Sequence, residues 1–392
     1  MQPLQDGHDI TLLEGGAAYF SALLQAIDAS QAEVRLETYI FNFDATGERV
    51  ASALVRAAQR GVAVYVVMDG IGTAELPAAW EEQFKQAGVH WSRFSPLGRL
   101  GLLIPGRWRR MHRKLCVVDS SVAFCGGINI LDDYHDLNHG PQDFPRFDFA
   151  VRVTGPLVVD IRAVVVQFWA RLQAARQLER LQFRGARAEL QGQVKSPTSR
   201  QGTTAGLVLR DNLRNRNRIE RAYRKAIGEA RHEVLIANAY FLPGAKIRRA
   251  LTDAARRGVR VRLLLQGRYE YFMQYHAARP VHGALLAAGV EIYEYQSGFL
   301  HAKVAVVDGH WATVGSSNLD PLSLQLAREA NVVVENTQFA ASLRSRLEDA
   351  IARHGRRLDS KAYAQRSLKQ RGLDRVAFGL MRLMLFLTGR RY

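Results

Sequence analysis

The sequence predicts an α/β protein made of two similar halves, and three observations support that class. A pattern of His, Lys, Asp, Gly and Asn begins at His112 and returns at His301, an offset of 189 residues given by the two positions. Helical and strand-like segments return in the same order around each copy. The chain has 392 residues, which is enough for two domains that each bury a core of their own.

The first half opens with alternating helices and strands. Residues 16–30 carry apolar side chains at helical spacing, and residues 34–41 alternate between apolar and polar side chains as a strand does. The same reasoning predicts a helix, a strand, a helix and a strand at 47–60, 62–68, 77–87 and 89–94.

The second half repeats this order. Its helices and strands are predicted, in chain order, at 219–230, 234–241, 246–257, 259–265 and 290–295, with a further helix ending at Gly289. Local phrases match as well, because Ala-Ala-Gln-Arg-Gly-Val at 57–62 returns as Ala-Ala-Arg-Arg-Gly-Val at 254–259. We interpret the two halves as an internal duplication.

The first half carries an insertion just before His112. The offset between matching segments falls from about 200 to 189 there, which leaves about 12 extra residues in the region 98–110. This segment mixes apolar side chains with arginines, a composition typical of membrane interfaces. The predicted membrane contacts are Leu102, Leu103, Ile104 and Trp108, and an ordinary buried loop is the alternative. A second insertion, 131–145, is predicted to be a polar surface loop.

The chain divides into four predicted parts. Residues 1–183 form the first domain, 184–206 a linker, and 207–372 the second domain. Residues 373–392 form an amphipathic segment that suits a helix lying in a membrane interface, since its apolar run is too short to span a bilayer. Its predicted membrane contacts are Leu380, Leu383 and Phe386, and a terminal helix docked on the core is the alternative.

The overall charge indicates a polyanionic partner. There are 54 Lys and Arg residues against 37 Asp and Glu, a net charge of +17, which favours either nucleic acid or an anionic membrane surface. We expect no transmembrane helix and no signal peptide. The two cysteines, Cys116 and Cys125, are expected to be buried thiols in a reducing compartment, with a cross-strand disulfide as the alternative.

The repeated pattern places its reactive groups on one face of a strand. Side chains alternate along a strand, so His112 and Lys114 face the same way, as do His301 and Lys303. Asp119 and Asp308 suit the hairpin turns that follow. The predicted phosphate contacts beyond the turns are Gly126, Gly127, Asn129, Gly315, Ser316 and Asn318. Both copies converge on one pocket if the halves meet about a pseudo-two-fold axis.

A pocket of this kind fits a phosphodiester and needs neither metal nor cofactor. Two lysines and two asparagines can hold the non-bridging oxygens and offset the charge of the transition state. One neutral imidazole can attack phosphorus while the other, protonated, donates to the leaving oxygen and later accepts a proton from the incoming hydroxyl. The predicted chemistry is a two-step transfer through a covalent phosphohistidine.

The duplicated His-x-Lys-x4-Asp-x6-Gly-x2-Asn pattern resembles the motif of the phospholipase D (PLD) superfamily, over about residues 16–335. The resemblance implies two α-β-α sandwich domains, each with a mixed sheet, sharing one active site at their interface. It also implies that His112 is the nucleophile and His301 the general acid and base. The other catalytic residues that it implies are Lys114, Asp119, Lys303 and Asp308. In that family a carboxylate downstream of each motif orients the imidazole, and Asp148 and Glu329 lie where these carboxylates should fall.

Shorter phrases resemble bacterial cardiolipin synthases of the B type, in particular 37–41, 239–243 and the Gly-Gly-Ile-Asn at 126–129. Many members of the superfamily have serine at the position of Gly127. The glycine here lacks the serine hydroxyl, which could contact phosphate. The resemblance implies transfer of a phosphatidyl group to phosphatidylglycerol, which yields cardiolipin. It implies an anionic phospholipid membrane as the partner, containing phosphatidylglycerol, cardiolipin and, as a further candidate, phosphatidylethanolamine. The protein would then lie peripherally on the cytoplasmic face of the bacterial cell membrane.

Three other functions stay open on the sequence alone. A hydrolase that releases phosphatidic acid would use the same catalytic residues, because water competes with a lipid hydroxyl for the phosphohistidine. A nuclease of the superfamily would use the net charge to bind nucleic acid, although the amphiphilic segments 98–110 and 376–387 favour lipid. A non-catalytic membrane-binding protein would not need two intact motifs.

Overall fold

The computed structural model describes residues 4–73, 75–96, 108–179, 202–211, 215–268, 272–320 and 327–387. The elements of the first half are, in order, β1 (Gln5–Glu14), α1 (Gly15–Asp28), β2 (Glu33–Thr38), α2 (Ala45–Gln59), β3 (Ala63–Asp69), α3 (Ala78–Ala87), β4 (His90–Phe94), β5 (Arg110–Met111), β6 (Lys114–Val118), β7 (Val122–Gly126), β8 (His135–Asp136), β9 (Gly140–Pro141), β10 (Phe149–Thr154) and α4 (Leu157–Glu179).

The second half follows the same plan and adds helices at its end. Its elements are β11 (Thr203–Arg210), α5 (Arg218–Glu229), β12 (Glu233–Asn238), α6 (Ala245–Arg256), β13 (Arg260–Gln266), α7 (Phe272–Ala287), β14 (Glu291–Tyr295), β15 (Lys303–Val307), β16 (Trp311–Gly315), β17 (Ala327–Glu335), α8 (Thr337–His354), β18 (Gly355–Arg357), α9 (Ser360–Ala364) and α10 (Leu368–Leu387).

Two half-sheets join into one sheet of 16 strands through the antiparallel pair β1–β11. Outward from β1 the order is β10, β7, β6, β2, β3 and β4, and outward from β11 it is β17, β16, β15, β12, β13, β14 and β18, while β5 pairs with β17 off this path. Strands β2, β3 and β4 are parallel, as are β12, β13 and β14, whereas their inner neighbours are antiparallel. The predicted mixed sheet in each half is therefore confirmed. Strand β11 begins at Thr203, inside the expected linker 184–206, most of which lies outside the described residues.

Helices cover both faces of the sheet. In the first half, α1, α2 and α3 bury Leu23, Leu54 and Phe84 against one face. Helices α5, α6 and α7 cover the matching face of the second half. The opposite faces share one central cluster, in which Ile161 of α4 and Leu343 of α8 pack with strand residues of both halves. This layering confirms the predicted pair of α-β-α sandwiches.

The two cysteines lie on adjacent strands but face opposite sides of the sheet. Cys116 pairs in register with Phe124, and Cys125 with Leu115, so their side chains enter different core clusters. Both thiols are free and buried, and burial raises the pKa of each to about 12. The expectation of buried thiols is confirmed, and the cross-strand disulfide is not formed. Within the described ranges, no helix is both long and apolar enough to cross a bilayer.

Candidate active site

The backbone that carries each motif histidine is bonded to the opposite half of the molecule. The His112 amide donates to the carbonyl oxygen of Arg328 at 3.0 Å, beside the short parallel pairing of β5 with β17. The His301 amide donates to the carbonyl oxygen of Phe147 at 2.9 Å. Each histidine is therefore bonded to the residue that precedes the predicted carboxylate of the opposite half. The two motifs thus meet at the boundary between the halves.

Asp69 holds the segment that leads into His112. Its buried carboxylate accepts from the Met111 amide at 2.8 Å and from Arg110 Nη1 at 3.2 Å. Asp69 was not among the site residues predicted from the sequence. Its position at the carboxyl end of a parallel strand was the available signal, because functional groups of α/β sheets collect at that edge.

The carboxylates cross between the halves. His112 Nδ1 lies 3.1 Å from Glu329 Oε2, and His301 Nδ1 lies 2.6 Å from Asp148 Oδ2. An ionised carboxylate accepts the Nδ1 hydrogen, which leaves the Nε2 lone pair for chemistry. The structure thus brings together all four predicted groups, and each imidazole is oriented by the motif of the other half.

The carboxylates that contact the two imidazoles have pKa values shifted in opposite directions. Burial lowers the pKa of His112, and burial together with Lys303 and Lys114 lowers the pKa of His301 well below its ordinary value. Burial also raises the pKa of Asp148 to about 7. Burial acts in the same direction on Glu329, but His112 and its other neighbours outweigh it and hold the pKa of Glu329 below its ordinary value.

The two motif lysines lie beside the histidines and are almost fully buried. Lys114 Nζ donates to the carbonyl oxygen of His112 at 2.6 Å, and Lys303 Nζ donates to that of His301. Burial lowers the pKa of Lys114 to about 7. Both cations therefore point toward the histidines, as the strand alternation predicts.

Two of the small residues after the hairpins, Gly127 and Ser316, use their amides to bond the neighbouring strand. The Gly127 amide donates to Phe149 and the Ser316 amide to Ala330, both at the neighbouring strand. Side chains at Gly126 and Gly315 would collide with β10 and with Asn331. The structure thus gives these four residues packing contacts with the neighbouring strands, and their contact with phosphate stays a prediction.

Gly127 and Ser316 also differ in what they do for the carboxylates. A side chain at Gly127 would collide with the carboxylate of Asp148, whereas Ser316 Oγ donates to Glu329 Oε2 at 2.6 Å. In the second half this hydroxyl therefore binds a carboxylate, whereas the sequence suggested that such a hydroxyl would contact phosphate.

Both motif asparagines are buried, whereas the aspartates of the motif lie at the hairpin turns. Asn129 Oδ1 accepts from the Ile40 amide at 3.2 Å, and Asn318 is buried. Asp119 accepts from the amides of residues 31, 32 and 33, and Asp308 from those of residues 231, 232 and 233, at 2.8 to 2.9 Å. These turns lie at the far end of the hairpins from the histidines, so the structure gives both aspartates a structural place and not the expected catalytic one.

One further side chain contacts the site. The ring of Tyr39 lies 4.7 Å from the His112 ring, centroid to centroid, and Lys114 Nζ lies 5.3 Å from the Tyr39 centroid. Tyr39 follows β2, at the same carboxyl edge as Asp69, which is the signal that could have identified it. No cluster of three or more His, Cys, Asp or Glu side chains in the described ranges has the arrangement of a metal site.

The predicted membrane contacts are only partly within the described residues. Leu102, Leu103 and Ile104 and the side chain of Phe386 lie outside them. Trp108 is half-buried, and its carbonyl oxygen accepts from Arg110 Nε at 3.0 Å. Leu380 and Leu383 of α10 are 49% and 53% exposed.

Comparison with known proteins gives one consistent result. The family described as "cardiolipin synthase, PLD-like domain" matches residues 23–140 and 223–351. Cardiolipin synthase B of Escherichia coli (strain K12) is 38% identical over 385 residues, which cover 98% of this chain and 90% of that protein. A cardiolipin synthase of Geobacillus thermodenitrificans is 32% identical over 380 residues, covering 96% and 72%. The crystal structure of phosphatidylserine synthase from Haemophilus influenzae Rd KW20 has a similar fold, with a TM-score of 0.67 at 13% identity, and the match covers 97% of this chain and 95% of that one.

Proposed function

The chain belongs to the cardiolipin synthase family with PLD-like domains, and we propose that it transfers a phosphatidyl group from one phospholipid to the glycerol hydroxyl of phosphatidylglycerol. The product is cardiolipin. The observation that carries this proposal is the pair of crossed histidine–carboxylate contacts, which place two differently supported imidazoles and two lysines in one site.

In the first step His112 is the nucleophile. Its Nε2 lone pair forms a bond to phosphorus while the bond from phosphorus to the donor's headgroup oxygen breaks. The proton held by the pair of His301 with Asp148 passes from His301 to that oxygen, so the headgroup leaves as a neutral alcohol. Glu329 stabilises the positive charge that develops on the His112 ring, because it accepts from the other ring nitrogen.

In the second step the acceptor replaces the departed alcohol. His301, now neutral, takes the proton of the phosphatidylglycerol hydroxyl, whose oxygen attacks phosphorus as the bond from phosphorus to His112 breaks. Both histidines return to their starting states. Lys114, Lys303 and the two motif asparagines hold the non-bridging oxygens through both steps.

The membrane partner is an anionic bilayer, and α10 is the surface that fits it. One face of α10 is docked on the protein, since Ala377 and Met381 are buried and Asp374 accepts from Arg366 Nη1 at 2.8 Å and lies 2.7 Å from His276 Nδ1. The apolar side chains exposed along the described part of α10 are Leu368, Leu373, Val376, Leu380 and Leu383. The exposed cations along α10 are Lys369, Arg371, Arg375 and Arg382.

The composition of that face supports a lipid partner. Asp374 supplies the one acidic side chain of α10 and is buried, so the exposed face combines apolar and cationic groups as interfacial helices do. The protein accordingly lies peripherally on the bacterial membrane, at the cytoplasmic face, where the free thiols of Cys116 and Cys125 stay reduced.

The activity is tested by incubating the purified protein with labelled phosphatidylglycerol, alone and with phosphatidylethanolamine, and separating the lipids. We expect cardiolipin, resistance to chelator, and loss of turnover in His112→Ala and His301→Ala. Phosphatidic acid as the main product would instead indicate a hydrolase, and turnover in either variant would contradict the two-histidine mechanism.

The membrane surface is tested by liposome sedimentation. Leu380→Glu with Leu383→Glu should weaken binding to vesicles of phosphatidylglycerol while leaving turnover of a short-chain substrate in detergent intact. The matched control, Ser342→Glu with Ser345→Glu, adds the same charge to exposed positions of α8. Equal loss of binding in both double variants would mean that net charge, not the apolar stripe, governs binding.

A further inference from the structure

We infer that Tyr39 is a positioning residue for His112, holding the nucleophilic imidazole in the plane from which Nε2 reaches phosphorus. This inference rests on the proposed function for the identity of the nucleophile. The two rings lie 4.7 Å apart with an interplanar angle of 57°, a geometry in which one ring restricts rotation of the other. Glu329 fixes the opposite ring nitrogen, so the imidazole is held on two sides.

The backbone of Tyr39 is itself fixed. The Thr73 hydroxyl donates to the Tyr39 carbonyl oxygen at 3.3 Å, and Gly72 packs so closely that a side chain there would collide with that same carbonyl. The preceding residue, Thr38, is buried and donates its hydroxyl to Ile40 O at 2.8 Å. A ring on this backbone occupies a defined place, which a positioning role requires.

The residue at the position of Tyr39 in the second half has no ring. Val34 pairs with Val118 in the first half and Val234 pairs with Val307 in the second, so the position matching Tyr39 is Ala239. Ala239 is buried, and its amide donates to Ala302 O at 3.0 Å. Among the described residues, the ring contact from the adjacent strand end is therefore made with His112 and not with His301.

This difference matches the different tasks of the two histidines. A nucleophile must present one nitrogen in one direction, so restricted rotation favours it. The acid–base group exchanges protons with a leaving and an incoming alcohol, and a small neighbour leaves space for both. Tyr39 also covers the His112 ring and attracts the Lys114 cation through its face, at 5.3 Å.

The test compares Tyr39→Phe, Tyr39→Leu and Tyr39→Met with the wild type, and Tyr134→Leu, at a tyrosine that is 55% exposed, is the matched control. In the two variants without a ring, kcat should fall between about 10- and 100-fold with little change in donor KM, as expected when a reacting group is misplaced. Tyr39→Phe and Tyr134→Leu should stay close to the wild type, because the ring and not the hydroxyl does the positioning.

A second readout needs no substrate. Histidine side chains labelled with ¹³C are titrated by NMR, and the His112 signal is assigned by its loss in His112→Gln. The charged groups that face this ring are Glu329, Lys114 and Lys303. Loss of the Tyr39 ring should admit water and raise the His112 pKa, since burial is what depresses it.

The outcomes separate the two proposals. Unchanged kcat and unchanged titration in Tyr39→Leu and Tyr39→Met would overturn the inference, and so would equal damage by Tyr39→Phe. If the wild type makes no cardiolipin, the proposed function fails, yet a His112 titration that moves in the ring-free variants and not in Tyr39→Phe still supports the positioning role.

Discussion

Replacing Glu329 with Gln should disable His112, the histidine of the other half. The Gln side chain keeps the shape but loses the charge that accepts from His112 Nδ1 at 3.1 Å and from Ser316 Oγ at 2.6 Å. A hydrogen bond to a buried charge contributes roughly 1.5–3 kcal/mol, which corresponds to about 10- to 100-fold in rate. Loss of the correct imidazole tautomer adds to this, and the comparable change in a serine-protease triad costs roughly 10⁴-fold. We expect kcat to fall between about 10²- and 10⁴-fold.

The assay separates the two crossed pairs by the leaving group. In single-turnover experiments with a phosphatidyl nitrophenol, the leaving group departs without a proton, so a variant of the acid–base pair should still form the phosphoenzyme. Asp148→Asn should therefore release nitrophenol at nearly the wild-type rate and fail with natural donors, whereas Glu329→Gln should be slow with both.

The parallel variants His112→Gln and His301→Gln show which histidine each carboxylate serves. If Asp148→Asn behaved like His112→Gln and Glu329→Gln like His301→Gln, each carboxylate would serve its own motif, and the crossed arrangement would be refuted.

Three further results are expected. Ser316→Ala should lower kcat by about tenfold, because it removes one hydrogen bond to buried Glu329, and the measurement is steady-state turnover with Ser316→Thr as the control that keeps the hydroxyl. Asp119→Asn should lower the free energy of unfolding by about 1–3 kcal/mol in denaturant titration, because the Asp119 carboxylate accepts hydrogen bonds from three backbone amides at a distance from the site. The folded variant should stay active. Lost activity at unchanged stability would restore the catalytic role expected from the motif. The value of kcat/KM should decline as pH rises through about 7, because the free enzyme's Lys114 loses its proton there, and a profile that stays flat well above neutral pH would contradict this.

Much of the fold was accessible from the sequence because it depends on local periodicity. The repeated strands, the facing of His112 and Lys114, and the mixed sheet follow from alternation along strands and from the duplicated order of elements. Strands β1 and β11 escaped prediction, since their pairing with each other depends on how the halves dock. A strand at an inter-domain junction has no local pattern that reveals its neighbour.

The sequence was enough to predict which residues form the site, but not which of them contact each other. The positions of Asp148 and Glu329 after each hairpin indicated that they serve the imidazoles, yet which imidazole each one meets is decided by the contact between β5 and β17 and by the Phe147 carbonyl. Likewise, glycine after a strand is compatible with anion binding or with close strand pairing, and only the partner strand distinguishes the two.

The crossed contacts also explain how two copies of one motif can take opposite roles. Identical surroundings would give two equal histidine–carboxylate pairs, whereas a two-step transfer needs one neutral nucleophile and one group that carries a proton back and forth. The Ser316 hydroxyl helps to keep Glu329 ionised beside His112, and Gly127 offers Asp148 no such donor. Burial then raises the pKa of Asp148 to about 7, so its pair with His301 can gain and lose a proton near neutral pH. In the proposed mechanism, the different roles of the two histidines therefore follow from the residues that flank the motifs and not from the motifs themselves.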